Sequence, residues 1–146
     1  ERRAPLLSHQ FVCVKDNHMT YHFSKIVSLP FDEAVNAATE SLKRQGFGVL
    51  TQIDVRETLH KKLDVAFRPY LILGACNPVL AHQALQLEDK IGTMLPCNVV
   101  VQQRDDGKVE ISAVDPMASM MAIDNPALGE VAGKVRAMLE KVVADL

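Results

Sequence analysis

The sequence predicts an α+β domain: a mainly antiparallel, curved sheet with helices packed on one face. Three observations carry this. Strand-like and helix-like runs alternate along most of the chain. An Asp106-Gly107 turn joins two adjacent strand-like runs, which makes that pair antiparallel. Two segments, near residues 30–45 and 126–142, carry apolar stripes at helical spacing, the feature that covers one face of a sheet. The chain has 146 residues, 48% apolar and 23% charged, the range of one globular domain with a real core.

Residues 1–18 differ from the rest and have no sustained period, so they read as an N-terminal tail or an extension added in cloning. Met19 is a candidate natural start, with His18-Met19 resembling a cloning junction; a genuine extension stays open. Phe11 to Val14 is a candidate short edge strand. The first residues lack a long apolar stretch and a cleavage site, so no secretory signal is expected. The single domain is expected over residues 19–146.

Thr20 to Val27 partly alternates and reads as the first strand. Pro30 opens a helix, with Asp32 and Glu33 in the first turn where the dipole favours them. Phe31, Val35, Ala38 and Leu42 form its apolar face, and Gly46 stops it. A second strand runs from Phe47 to Ile53. Asp54 then caps a short helix, Val55 to Leu63, with Val55, Leu59 and Leu63 on one face.

Tyr70 to Ala75 is a continuous apolar run and reads as a buried strand. Asn77 and Pro78 start the next helix as cap and first residue; Leu80, Ala84 and Leu87 face the core, and Gly92 helps to end it. Val99 to Gln102 is a strand, the Arg104 to Gly107 turn follows, and Lys108 to Val114 returns. Asp115-Pro116 leads into a short Met-rich turn or helix, Met117 to Met121. Asn125-Pro126 repeats the capping device. Leu128, Val131, Val135, Met138, Leu139 and Val142 form the stripe of the last helix.

Composition excludes several functions. The net charge is −2, and from Met19 onward 13 basic residues face 16 acidic ones, so no nucleic-acid partner is expected. No apolar run approaches the ~20 residues of a membrane span, so no membrane partner is expected. Three cysteines are too few for a disulfide scaffold and point to a reducing, cytoplasmic compartment. Walker, dinucleotide-glycine and Ser-His-Asp patterns are absent.

Chemistry concentrates at Gly74-Ala75-Cys76-Asn77-Pro78 and Leu95-Pro96-Cys97-Asn98. Cys76 ends a strand just before a helix N-terminus, where a thiolate is favoured. Cys97 opens a later strand. If those strands are antiparallel neighbours, the two sulfurs could meet. Two buried small hydrophobes is the plain structural alternative; a reactive thiol pair and a soft-metal or sulfur-ligand site are the functional ones. Asn77 and Asn98 are structural caps or amide donors to an anion or small ligand near the cysteines. Glu57 and His60 share a helix face, which reads as a solvated surface. Met117, Met120 and Met121 read as adaptable packing at an edge or a dimer contact.

The motifs together, from Ile53-Asp54 and Lys61-Lys62-Leu63 through Phe67-Arg68-Pro69-Tyr70, both cysteine stretches, Ala81-His82, Ile91-Gly92 and Val114-Asp115-Pro116, resemble domain-of-unknown-function family 302. The resemblance spans about Thr20 to Leu146. It implies a two-layer domain of the TATA-binding-protein-like class, a bacterial or archaeal source and a homodimer, and it brings no activity. His60 stands where that family leads one to expect a lysine, which weakens any metal site built on it. The leading expectation is a dimeric binding or accessory domain holding a small ligand or metal near Cys76 and Cys97, with Asn77, Asn98, Asp54 and Lys62 as further ligand candidates. Candidate metal ligands are Cys76, Cys97 and His60. The alternatives are a thiol-dependent redox enzyme, with Asp54 or Lys62 beside the reacting cysteine, and a purely structural interaction module.

Overall fold

The computed structural model describes residues 20–146. The expectations for residues 1–18 and Met19, including the edge strand at Phe11 to Val14, lie outside the described residues. The elements follow the expected order: β1 His22–Val27, α1 Phe31–Arg44, β2 Gly48–Asp54, α2 Val55–Leu63, β3 Tyr70–Cys76, α3 Pro78–Leu87, β4 Cys97–Gln103, β5 Val109–Val114, α4 Pro116–Ser119 and α5 Pro126–Ala144. Asp89–Met94 adds a 3₁₀ segment that the sequence reading passed over.

The five strands form one sheet in the order β1-β5-β4-β3-β2, with every neighbouring pair antiparallel. The first two strands in the chain are therefore the two edges, and α1 carries the chain from one edge to the other. Alternation puts Leu73, Ala75, Val99, Val101, Val109, Ile111 and Ala113 on one face, and all are buried. Helices α1 and α5 cover that face with Ala34, Ala38, Leu42, Leu139, Val142 and Val143. Each large side chain fully buried here contributes about 1.5–3 kcal/mol. The opposite sheet face is uncovered among the described residues.

Local chemistry fixes the helix ends. After α1, the Phe47 N–H donates to the Leu42 carbonyl and the Gly46 N–H to that of Lys43. Gly46 has φ +84°. This is a Schellman ending, and Leu42 and Phe47 supply its hydrophobic contact inside the core. Inside the layer, the buried Ser41 hydroxyl donates to the Val142 carbonyl at 2.7 Å, joining α1 to α5. At the same C-terminal end of α5, Lys25 on β1 donates to the Ala144 and Leu146 carbonyls, which lack helical partners.

The expected core face of α3 is corrected, and α2 also lies outside the core. Helix α2 buries none of its residues, and Leu63 is 65% exposed. It packs beside β2 and β3 rather than under the sheet. On α3 only Ala84 is buried, and Leu87 is 40% exposed. Both helices are short, and the covered face is already filled by α1 and α5. Their apolar periodicity therefore serves partial contacts.

Candidate functional site

Strands β3 and β4 are antiparallel neighbours, as a meeting of the two cysteines requires. Their register sets Cys97 opposite Ala75, so Cys76 lies one residue beyond its partner strand's first residue. Cys97 points to the helix-covered face and is 8% exposed. Cys76 ends its strand half-buried. Both line a small apolar cavity of about 30 Å³ at the end of the sheet. Helix α3 walls it with Leu80 and Ala84, α5 with Leu128, Val131 and Ala132, and Met120 borders one side.

The surrounding motif residues build this corner. Asn77 caps α3: its side-chain oxygen accepts from the Leu80 N–H at 3.2 Å. The Asn77 amide nitrogen lies 3.2 Å from where a side chain on Gly46 would begin, so it also packs the chain reversal after α1. The Leu95-Pro96 peptide is cis, and Pro96 belongs to the cavity wall. Asp115 accepts from the Met117 N–H at 3.0 Å and from Arg136 Nε at 3.1 Å, which ties the Met-rich turn to α5.

Burial pushes the Cys97 thiol up, and a charge on Cys76 adds to this, taking it from its ordinary 9.0 to about 11. An apolar wall disfavours the thiolate, so Cys97 stays protonated at neutral pH and behaves as a small polarizable hydrophobe. The sign of the linkage follows. Below pH 9.0 the thiol is neutral in both folded and unfolded chains, and its contribution to stability is fully present. Between 9.0 and about 11 only the unfolded thiol ionises, which removes roughly 3 kcal/mol by completion. Urea unfolding across this window is expected to show that loss in the native protein and a flatter profile in Cys97→Ala. Equal slopes in the two proteins would remove Cys97 as the cause.

The other expected site residues divide. Asn98 is exposed on the opposite, uncovered sheet face, across from Gly74. Asp54 accepts from the Glu57 N–H at 2.9 Å as the cap of α2. His60, 3.9 Å from Asp64, and Lys62 sit on that same exposed helix. None of these four lines the cysteine cavity. Among the described residues no three His, Cys, Asp or Glu side chains converge as a metal site would require. The reading from sequence placed Asp115-Pro116 at the start of the Met-rich turn but gave Asp115 no part in the site. It missed Ser24 and Ser112, which become neighbours only through strand pairing.

The fold and the cavity define a class: a two-layer α+β domain with an open five-stranded sheet and a small apolar chamber between the sheet end and its helices. Within that class the chain belongs to the family described as "Domain of unknown function DUF302", whose model matches residues 23–146. It is similar to the uncharacterized conserved DUF302 protein from Bacillus stearothermophilus, known from its crystal structure. The two are 34% identical over 86% of this chain and 98% of that one, with a TM-score of 0.80. No curated protein matches this chain.

Proposed function

We propose that the domain is a binding module whose site is the chamber at Cys76 and Cys97, and that its ligand is a small, uncharged, apolar molecule. The observation that carries this is the chamber itself. Its volume of about 30 Å³ exceeds the ~10–15 Å³ that one water needs, yet its walls offer little for water to bond to. Such cavities stay dry and take apolar guests. A protonated Cys97 fits a wall better than a nucleophile or a metal ligand, since both of those need the thiolate. A reducing compartment suits this reading, because oxidation of either thiol would make the wall polar. No helix among the described residues is long and apolar enough to cross a membrane.

The chamber also has room to grow. Met120, Leu128 and Ala132 border both the chamber and a shallow groove lined by Met117 and Met121. Met side chains repack at low cost, so rotation of Met120 would join the two spaces and admit a short aliphatic chain. The test is an amide-resolved NMR titration of the native protein with n-butanol and n-hexane. Saturable shifts at Cys97, Ala84 and Val131 are expected, and they disappear in Ala132→Leu, which fills the chamber. No response at those amides, or the same response in Ala132→Leu, would overturn the proposal.

A further inference from the structure

We infer that the uncovered sheet face carries a second binding site, for a neutral polyhydroxylated molecule of the saccharide or polyol class. The site is a groove of roughly 360 Å³ running across β1, β5, β4 and β3, within the range of small-ligand pockets. It is separate from the cysteine chamber and does not depend on it.

The residues that point into this groove are unlike those of an ordinary solvated sheet face. Tyr21 and Tyr70 both line it, so two aromatic rings stand where the apolar face of a sugar ring can pack. Hydrogen-bonding groups lie on the sheet face between: the amides of Asn98 and Gln102, the hydroxyl of Ser112 and the ring of His22, whose Nδ1 is taken up by Ser24. No lysine or arginine lines the groove, and Arg68 beside it is already engaged with Gln102 and the Tyr70 ring. The one carboxylate that lines it, Glu110, already faces Arg104 at 3.5 Å. A phosphate or nucleic-acid ligand would require an excess of positive charge, and a cation would require free carboxylates. An uncharged ligand rich in hydroxyl groups matches what remains.

These groups are also held in place. Gln102 accepts from Arg68 Nε at 3.0 Å through its side-chain oxygen, which holds its amide in one orientation. Arg68 in turn lies 4.5 Å from the Phe67 ring centroid and 5.4 Å from that of Tyr70, fixing the aromatic flank. Ser112 bonds Ser24 at 2.7 Å, and Ser24 bonds His22 Nδ1 at 2.7 Å. This chain sets the Ser112 hydroxyl beside the groove floor. Groups ordered before binding lose less freedom when a ligand arrives, which is what a hydroxyl-rich ligand, well solvated in water, requires.

The experiment is an amide-resolved NMR titration of the native chain with sorbitol, maltotriose and cellotriose, alongside a glycan array carrying neutral and anionic glycans. Binding of at least one neutral member is expected, with shifts confined to β1, β3, β4 and β5. Tyr70→Ala should weaken it about tenfold, the loss of one ring contact. Asn98→Ala, at an exposed position, should weaken it with the melting temperature unchanged. The proposal is overturned by the absence of any neutral ligand, by binding confined to anionic glycans, or by binding that survives both substitutions. Shifts of the same residues with protein concentration alone would also overturn it, because they would mean that a second copy covers this face.

Discussion

Gly74→Ala is expected to destabilise the domain by about 3 kcal/mol, the upper range for forcing a methyl group into a packed site. A Cβ at this position would lie 2.1 Å from the Thr51 hydroxyl oxygen and 2.8 Å from Pro96 Cγ. The threonine oxygen can rotate away. The proline ring cannot retreat as cheaply, because it is part of the cavity wall. Glycine is therefore needed in β3 for close approach, with β2 on one side and the Leu95-Pro96 step above. Urea unfolding measures the loss directly. In the double variant Gly74→Ala with Thr51→Ala, about a third of it should return, since only the hydroxyl contact is relieved and the Pro96 contact stays. A Gly74→Ala protein within about 0.5 kcal/mol of the native one would mean that neither contact is real. The glycine of the Gly-Ala-Cys-Asn-Pro stretch is thus explained by packing.

Asp115→Ala is expected to cost about 2–3 kcal/mol, between the loss of a helix cap and the breaking of a buried ion pair. The carboxylate side chain is 10% exposed and sits 3.1 Å from Arg136 Nε; that arginine is 43% exposed and also lies 5.2 Å from the Phe23 ring centroid. Because Arg136 can regain water, the loss should stay below that of a fully enclosed pair. Asp115→Asn keeps the acceptor for the Met117 N–H and gives up the charge, so about 1 kcal/mol is expected. Hydrogen exchange separates the two roles. The Asp115→Ala variant should speed exchange over residues 117–121 more than in the sheet, because the carboxylate anchors the turn that holds Met120 against the chamber. Uniform acceleration would instead make Asp115 a general stability determinant with no special hold on that wall.

Much of the chain could be read without its fold, and the reason is local. Pro78 and Pro126 mark helix starts because a missing N–H costs nothing there. Gly46 marks a stop because φ +84° excludes most side chains. Asp106-Gly107 marks a hairpin because Gly107 adopts φ +81°. Each signal acts within about four residues, so it survives in the sequence. The stripes of α1 and α5 were equally legible, since each helix buries one continuous face.

Element order and the two covering helices follow from the residues alone, because local signals and periodicity specify them. The strand order β1-β5-β4-β3-β2, the pairing of the two cysteine-bearing strands, the exposure of α2 and the membership of each site come from the folded chain. Cys97 and Asn98 are adjacent in sequence yet occupy opposite faces, because a strand alternates sides with every residue. Asp54, His60 and Lys62 follow α2 to the outside, because α1 and α5 had already filled the covered face. Ser24 and Ser112, 88 residues apart, meet through strand pairing alone. Site membership depends on long-range pairing and on competition for one buried face, and neither is written within the few residues over which local signals act.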